Sequence, residues 1–496
     1  MDAFLSVFSF NIIIPWILAM FLGIFVGGIP GLTATMAVAL IVPLTFHMTP
    51  IAGLAMIIGV SFTSIFAGDI PATFLRIPGT PASGAAVLDG YEMTKQGRGY
   101  LAIYLDLACS AIGGVVGILI LIFVSPVLAG FALKFTHFEY FWLGVLGLSM
   151  SAVISRTSKI KGVISIAIGV LISTIGIDLT TGFPRFAYGK AVLMGGIGFI
   201  PVMIGLFGVS EVLRSILSTR DLSVSAVLER TRVSLKEVFG HVGRHIRLVL
   251  QSSVVGTVIG ALPGAGADVA AWVAYGTAKR TSRKPDEFGK GSVEGVIAPT
   301  SANNAALGGS WVPALVFGIP GDTITAIVLG AMLMYGLKPG PLIFETNRFL
   351  VDQIFSVGLV SQLFLVIIGF LGIRAYSQVF KFPRNVVYAG ILIFSMVGAF
   401  AMRSNLFDVW LVIIFGVIGF VMEKAKIPLV PLILGIILGP MIESNLRIGL
   451  IKTTGRFLPF ISRPISIVLV LILAALFLWE PLAGLIKSLR QKRGRN

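Results

Sequence analysis

Four Pro-Gly pairs in this sequence lie beside polar residues that could bind an ion or an anionic ligand. In the first half, Pro30-Gly31 precedes Thr33 and Thr35, and Pro78-Gly79 lies among Asp69, Arg76, Thr80 and Ser83. In the second half, Pro263-Gly264 precedes Gly266 and Asp268, Pro320-Gly321 precedes Asp322, and Ser301, Asn303 and Asn304 lie between these two pairs. Proline removes a backbone donor and glycine accepts a positive φ, so each pair predicts a break in a helix.

Broken helices with polar neighbours could bind both a cation and a carboxylate. Freed carbonyl groups can coordinate a cation, and the N-termini of half-helices can face an anion. Side-chain oxygens are the ligands that hard cations such as Na⁺ prefer, and the candidates are Thr80, Asp268, Ser301 and Asn303. Asp69 and Asp268 would assist cation binding or relay a proton, and hydroxyls and Arg76 would suit a carboxylate. The alternative is that the breaks are packing kinks, that Ser and Asn join helices, and that Arg76 reaches an interface.

The chain shows no competing catalytic or metal-binding pattern. There is no H-E-x-x-H, no phosphate-binding Walker loop and no G-x-S-x-G in the sequence. His241 and His245 are one helical turn apart, but no cysteine or acidic ligand accompanies them in their basic surroundings. We therefore expect neither a cofactor nor ATP hydrolysis by this chain. The single cysteine, Cys109, excludes an intramolecular disulfide.

The elements that must position these residues are membrane helices. The 496 residues are 56% hydrophobic and 12% charged, whereas soluble domains are about 25% charged. The apolar segments leave room for roughly 10 to 12 helices of spanning length in an all-α membrane protein with broken or re-entrant hairpins. The net charge of +16 is spread over short segments between apolar runs, which is typical of loops that face anionic lipids and argues against nucleic-acid binding.

The sequence repeats itself in two halves. The pattern G-x3-G-x2-P-G occurs at residues 23–31 and again at residues 256–264, with an offset of 233 residues. Pro71-Ala72 followed by Ile77-Pro78-Gly79 matches Pro313-Ala314 followed by Ile319-Pro320-Gly321, with an offset of 242 residues. Two matches in the same order favour two homologous halves. We predict a first membrane repeat at 1–213, a basic cytoplasmic linker at 214–247, a second repeat at 248–480 and a basic cytoplasmic tail at 481–496.

Loop charge predicts that the two halves have opposite orientations. Residues 46–50, after the first motif, contain no Lys or Arg, whereas residues 279–290, after the second copy, contain five. The linker contains seven basic residues, and residues 487–496 contain five. Basic loops stay in the cytoplasm, so the N-terminus is expected in the periplasm and the C-terminus in the cytoplasm. Inverted repeats of this kind are typical of secondary transporters with a central binding site.

Several motifs together resemble the large membrane subunit of the tripartite tricarboxylate transporters. They are Pro30-Gly-Leu-Thr-Ala-Thr35, Ile77-Pro-Gly-Thr-Pro-Ala-Ser83 with Leu88-Asp-Gly-Tyr91, Pro263-Gly-Ala-Gly-Ala267 and Ser301-Ala-Asn-Asn-Ala305. The resemblance implies a permease of the bacterial inner membrane, of the elevator type with a mobile domain. It also implies two partners, a small membrane subunit of about four helices and a periplasmic solute-binding protein. The sequence departs from the family pattern at Thr300, where an acidic residue is often found, and at Arg76, where a neutral polar residue is common.

The expected function is therefore secondary-active uptake of a tricarboxylate or dicarboxylate, coupled to Na⁺ or H⁺, by a chain that is not an enzyme. Membrane lipids surround it, and a homo-oligomer is possible. Two alternatives remain at this stage. One is an integral-membrane enzyme that acts on an anionic or lipid-linked substrate, with Asp69, Arg76 and Asp322 as its polar centre. The other is a passive anion channel.

Overall fold

The computed structural model describes residues 2–29, 32–154, 158–178, 181–217, 233–379 and 384–493. Contacts divide the chain into two compact units, residues 1–133 with 197–429 and residues 134–196 with 430–496. Within the described residues, 8 helices are long and apolar enough to cross a membrane. The expectation of an all-α integral membrane protein is confirmed, since regular structure is almost entirely helical.

The first unit contains most of the helices. It begins with α1 (Asp2–Ser6), α2 (Phe10–Gly28), α3 (Ala34–Thr45), α4 (Pro50–Leu75), α5 (Ser83–Lys95) and α6 (Gly99–Ala132). The next three helices along the chain belong to the second unit and are α7 (His137–Ile154), α8 (Lys159–Ser173) and α9 (Ala191–Met194). The first unit resumes with α10 (Phe199–Met203), a π-helical turn (Ile204–Val209), α11 (Ser210–Leu217), α12 (Leu235–Arg244), α13 (Ile246–Gly260), α14 (Gly266–Thr281), a 3₁₀ turn (Pro285–Glu287), α15 (Val293–Phe317), α16 (Thr323–Met334), α17 (Ile343–Thr346), α18 (Arg348–Val379), α19 (Arg384–Arg403) and α20 (Leu406–Lys424).

Two helices, α4 and α15, lie at the centre of the first unit. Every residue of α4 from Ile51 to Phe74 is buried, and so is every residue of α15 from Gly295 to Val316. Helix α2 packs along α4, and α13 and α6 pack along α15. A helix that is enclosed on all sides can carry polar residues where they meet other protein groups rather than lipid.

The second unit is smaller and is formed by α7, α8, α9 and three helices near the C-terminal end. These are α21 (Leu429–Lys452), α22 (Leu458–Ser462) and α23 (Pro464–Arg493), and a short antiparallel pair, β1 (Gly176–Ile177) and β2 (Pro184–Arg185), follows α8. Ion pairs hold this unit together. The guanidinium of Arg463 lies 2.7 Å from the carboxylate of Glu139, and that of Arg447 lies 2.6 Å from Asp178.

The predicted boundaries of repeats, linker and tail are not tested by this division into units. Of the linker at 214–247, residues 218–232 lie outside the described part of the chain. Its described portion includes α12, an amphipathic helix whose Val238 and Val242 pack onto α6 and α15. The basic side chains of that helix therefore point away from the apolar cluster.

Candidate functional site

The first-half break lies against the enclosed helix α4. After α4 ends, the chain turns back, and the amide of Gly79 donates to the carbonyl oxygen of Gly68 at 3.1 Å. A Cβ atom on Gly79 would lie 2.6 Å from the Cα of Gly68 and 3.0 Å from the carbonyl oxygen of Gly27. Such distances are shorter than real Cβ contacts, so only glycine allows this approach. The break brings Thr80 and Ser83 next to Asp69.

The second-half break repeats this arrangement around α15. A Cβ atom on Gly321 would lie 2.4 Å from the carbonyl oxygen of Gly260 and 2.8 Å from the Cα of Ser310. Gly79 and Gly321, like Gly68 and Ser310, are 242 residues apart, and Gly27 and Gly260 are 233 apart. These are the offsets of the sequence repeat. Equivalent residues of the two halves therefore make equivalent contacts.

Three of the four sequence-predicted Pro-Gly pairs lie at breaks between described helices. Pro263 and Gly264 occupy the turn between α13 and α14, where the Gly264 amide donates to the Gly321 carbonyl at 2.8 Å, and Pro320 lies between α15 and α16. A Cβ on Gly266 would approach the Cβ of Asp322 to 2.7 Å. Pro30 and Gly31 lie outside the described residues.

Four short helices begin at or just after these breaks, and they pair across the two halves. Helix α3 contacts α16, and α5 contacts α14. The hydroxyl groups of Thr35 on α3 and Thr323 on α16 are 3.0 Å apart. Thr33 accepts a hydrogen bond from the amide of Met36 and so caps α3. The N-termini of α3 and α16, one from each half, therefore meet, and each carries the partial positive charge of a helix start.

Asp322 has a structural role at its helix. Its side chain accepts from the Thr325 amide at 2.7 Å, and the Thr325 hydroxyl in turn accepts from the Asp322 amide, which forms a capping box at α16. Asp268 is partly buried in the first turn of α14. A carboxylate at a helix N-terminus is stabilised by the helix dipole. Both residues therefore stabilise helices at the second-half break.

Arg76 is exposed and lies at the end of α4 with φ of 60°. The position 242 residues later is Gly318, which ends α15 with φ of 69°. In both halves the following residue donates to a proline carbonyl, Ile77 to Pro71 at 3.3 Å and Ile319 to Pro313 at 3.2 Å. The guanidinium carbon of Arg76 lies 5.6 Å from the ring centre of Tyr91. Arg76 thus occupies a left-handed cap that glycine occupies in the second half.

A buried hydrogen bond links the two enclosed helices. The side-chain amide of Asn303 on α15 donates to Oδ2 of Asp69 on α4 at 3.0 Å. Both side chains are enclosed, with exposed fractions of 1% and 0%. Ser83 also contacts Asp69, and the hydroxyls of Thr80 and Ser83 are 2.8 Å apart. Residues that the sequence placed in separate motifs therefore form one polar cluster.

Asp106 is a member of this cluster that the sequence analysis missed. It lies on α6 with 1% of its surface exposed, and its carboxyl group contacts that of Asp69. The hydroxyl of Ser110, one turn later, donates to Oδ1 of Asp106 at 2.9 Å. A signal was present, because Asp106 is the only charged residue between Arg98 and Lys134, and a charge in an apolar run is usually functional.

Glycines on α6 explain how Asp106 reaches the cluster. A Cβ on Gly113 would lie 2.1 Å from the carbonyl oxygen of Ser301, and one on Gly117 would lie 2.5 Å from that of Ala305. The spacing of residues 106, 110, 113 and 117 places them on one face of a helix. Direct backbone contact between α6 and α15 therefore brings the short side chain of Asp106 to the polar centre.

Several buried polar atoms of the cluster have no hydrogen-bond partner within the described residues. They are Oδ1 of Asp69, Oδ2 of Asp106, Oδ1 of Asn303 and both side-chain polar atoms of Asn304. Leaving such atoms unsatisfied costs about 1–3 kcal/mol each. Native proteins rarely tolerate several together. The oxygens among these atoms could therefore accept hydrogen bonds from a ligand or coordinate an ion.

The four predicted Na⁺ ligands are not all brought together by these contacts. Thr80 and Asn303 lie in the polar cluster through Ser83 and Asp69. The Ser301 hydroxyl donates to the carbonyl of Ile297 in its own helix at 2.8 Å. Within the described residues there is no group of three or more His, Cys, Asp or Glu side chains that could hold a metal. The oxygens suit a monovalent cation better than a transition metal.

Asp89, which lies in the motif at residues 88–91, holds the N-terminal end of α15 by four hydrogen bonds. Its Oδ1 accepts from the amides of Gly289, Gly291 and Ser292 at 2.7–2.9 Å, and its Oδ2 accepts from the hydroxyl of Tyr275 at 2.9 Å. A carboxylate with this many donors is fully satisfied. Asp89 therefore positions α15 and is not available to a ligand.

Comparisons with known proteins identify two curated relatives and one family model. A curated protein from Agrobacterium vitis, described as an uncharacterized 52.8 kDa protein in the TAR-I ttuC' 3' region, is 33% identical over 474 residues, which covers 96% of this chain and 93% of the relative. A second protein from the same organism, from the TAR-II ttuC' 3' region, is 34% identical over 238 residues, which covers 48% of this chain and 97% of the relative. No solved structure matches the chain. The model of the tripartite tricarboxylate transporter TctA family matches residues 13–434, and the chain belongs to that family.

Proposed function

We propose that this chain is the permease subunit of a binding-protein-dependent tripartite system, and that it takes up a tricarboxylate or dicarboxylate across the bacterial inner membrane by secondary-active transport. Uptake is driven by a gradient of Na⁺ or H⁺. A small membrane subunit of about four helices and a periplasmic solute-binding protein act with it. The chain transports its substrate unchanged and is not an enzyme.

The observation that carries this proposal is the buried cluster at Asp69 and Asn303. It joins the two enclosed helices next to the first-half break. Burying a carboxylate at membrane depth costs free energy, and residues of this kind usually mark a functional site. Its unpaired oxygens supply the hard ligands that a coupling cation needs.

The paired half-helices support a carboxylate substrate. The N-termini of α3 and α16 lie next to each other, with Thr33, Thr35 and Thr323 on their first turns or caps. Helix N-termini favour anions through their dipoles and through the N–H groups that the capping side chains leave unpaired. A substrate bound there would lie between elements of the two halves, as in transporters built from repeats.

Transport by the complete system tests this proposal. The chain is reconstituted into proteoliposomes with its two partner proteins, and uptake of labelled citrate and other carboxylates is followed with and without Na⁺ and proton gradients. We expect accumulation only when an inward cation gradient is present. The double variant Asn303→Ala/Asn304→Ala should not accumulate substrate. The matched control is Asn347→Ala, since Asn347 is exposed after α17.

Three results would contradict the proposal. Uptake that ignores every ion gradient, or that needs no binding protein, would indicate a passive channel. Conversion of the labelled compound would indicate an enzyme. Accumulation by the double variant at the wild-type rate would show that the polar cluster has no role in transport.

A further inference from the structure

Asp69 and Asp106 are two buried carboxyl groups in contact with each other on different helices, α4 and α6. Each has one oxygen that accepts a hydrogen bond, from Asn303 and from Ser110 respectively. Each has a second oxygen with no donor in the described part of the chain. Two carboxyl groups in contact with each other would be stabilised by a positive charge between them.

The surroundings do not supply that positive charge. Among the described residues, the other side chains that face the pair are those of Ser83 on α5, Asn303 on α15, and Cys109 and Ser110 on α6, and all of these are neutral. No described Lys, Arg or His forms an ion pair with either carboxylate, although the buried Asp408 has Arg403 and Glu139 has Arg463. Burying two like charges without a counter-charge costs several kcal/mol.

We propose that Asp69 and Asp106 together hold the single monovalent cation whose movement drives transport, and that Asn303 and Ser110 position the two carboxyl groups. This inference rests on the proposed function of the chain. The cation is either a proton shared by the two carboxyl groups or an Na⁺ ion between them. Both neutralise the pair by one charge, and Na⁺ would add Oδ1 of Asn303 and the hydroxyl of Ser83 as oxygen ligands.

The location of the pair explains how the cation would be linked to substrate. Asp69 follows Gly68, the residue against which the Gly79 amide closes the first-half break. Ser83, which contacts Asp69, is the first residue of α5. A change of charge at the pair therefore acts directly on the break and on the start of a half-helix. Coupling requires such a differential interaction between two states.

The test compares net transport with exchange in the reconstituted tripartite system. Asp106→Asn keeps the shape and removes the exchangeable charge, so it imitates the neutralised pair. We expect it to retain exchange of external for internal substrate but to lose accumulation above the external concentration. Asp69→Asn should behave in the same way. Asp106→Glu should restore part of the accumulation, and Asp352→Asn, at a half-exposed position on α18, should resemble wild type.

Two wild-type measurements identify the cation. A pH-sensitive dye inside the vesicles reports proton entry on addition of substrate, and labelled Na⁺ reports sodium entry. One of the two fluxes should accompany substrate in wild type and be absent in Asp106→Asn. If Asp106→Asn does not fold, loss of co-transport in Asp69→Asn with retained exchange decides the question.

Opposite results overturn the inference in distinguishable ways. If Asp106→Asn or Asp69→Asn accumulates substrate like wild type, the pair is not the coupling site while the proposed function stands. If a variant shows the wild-type cation flux without accumulation, the pair serves only the substrate pathway. If wild type itself is not driven by either gradient, the proposed function and this inference fail together.

Discussion

At the scale of single residues, the same side-chain type has different roles because of its surroundings. Asp89 accepts four hydrogen bonds and Asp322 caps a helix, so both are satisfied where they lie. Asp69 and Asp106 each keep an oxygen that no donor among the described residues reaches. In the sequence, Asp69 and Asp322 were both site candidates, Asp89 was only part of a motif, and Asp106 was missed. Only their contacts separate the two that could bind a cation from the two that hold the fold.

Arg76 offers a prediction at this scale. Arg76→Gly should leave both transport and thermal stability close to wild type. Glycine adopts the left-handed conformation without strain, so the change should stabilise the folded state by about 1–2 kcal/mol. It also removes a cation–π contact worth about 0.5–1 kcal/mol at an exposed site. Uptake kinetics and melting temperature in detergent are the measurements.

Arg76→Ala is the control, because it removes the guanidinium but keeps the strained backbone. It should be less stable than Arg76→Gly and equally active. If both variants raise the substrate concentration needed for half-maximal uptake about tenfold, which corresponds to about 1.4 kcal/mol of binding, Arg76 binds the substrate. The structural interpretation would then be wrong.

At the scale of helices, the G-x3-G spacing of the sequence motifs is a packing surface. A Cβ on Gly27 would lie 2.4 Å from the carbonyl oxygen of Ser64, and one on Gly260 would lie 2.2 Å from that of Ala306. Ser64 and Ala306 are again 242 residues apart. Small residues let membrane helices approach until their backbones touch. The two halves therefore share a close contact between two helices, in addition to the turn at each Pro-Gly pair.

This contact gives a prediction for Gly260→Ala. The added methyl group must push α13 away from α15, and overpacking of this kind costs about 1–3 kcal/mol. We expect a lower melting temperature in detergent and a lower yield of folded protein. The matched control is Gly276→Ala on α14, where an added Cβ meets no atom within 4 Å. Replacing that helical glycine should stabilise by up to about 1 kcal/mol.

The melting temperatures of the two glycine variants can contradict this prediction. If Gly260→Ala melts at or above the temperature of wild type while Gly276→Ala also gains stability, α13 and α15 can separate at little cost. The close approach of their backbones would then not be needed to hold the second-half break.

At the scale of the whole molecule, loop charge predicts that equivalent loops of the two halves lie on opposite sides of the membrane. The loop between α3 and α4 contains His47, and the loop between α14 and α15 contains Asp286. Both side chains are exposed, whereas Cys109 is fully buried. New cysteines at these two positions can therefore be labelled without reaction at the native one.

We expect the two new cysteines to be labelled from opposite sides of the membrane. In intact cells whose outer membrane is permeable to the reagent, a maleimide that cannot cross the inner membrane should label His47→Cys but not Asp286→Cys. Inverted vesicles should show the reverse. Labelling of both cysteines from the same side would contradict the inverted arrangement, although the equivalent contacts at the two breaks would remain.

The sequence by itself determined the membrane class, the position of the breaks and the repeat, because these follow from local properties. Apolar runs need lipid or protein around them, and Pro-Gly pairs interrupt a helix wherever they occur. The repeat offsets also identified which residues are equivalent, and the structure places Gly79 with Gly321 and Gly27 with Gly260 in matching contacts.

Only the tertiary structure decided which polar residues meet. Asp69 and Asn303 are 234 residues apart in the chain, and Asp106 lies in an otherwise apolar helix. Their meeting depends on glycines that let α6 and α15 touch, and that approach is a property of two packed surfaces rather than of either segment. For the same reason Asp268 and Asp322, which look similar in sequence, remain at the second-half break. Spacing along the chain predicts neighbours on one helix, whereas contacts between distant helices are fixed by packing.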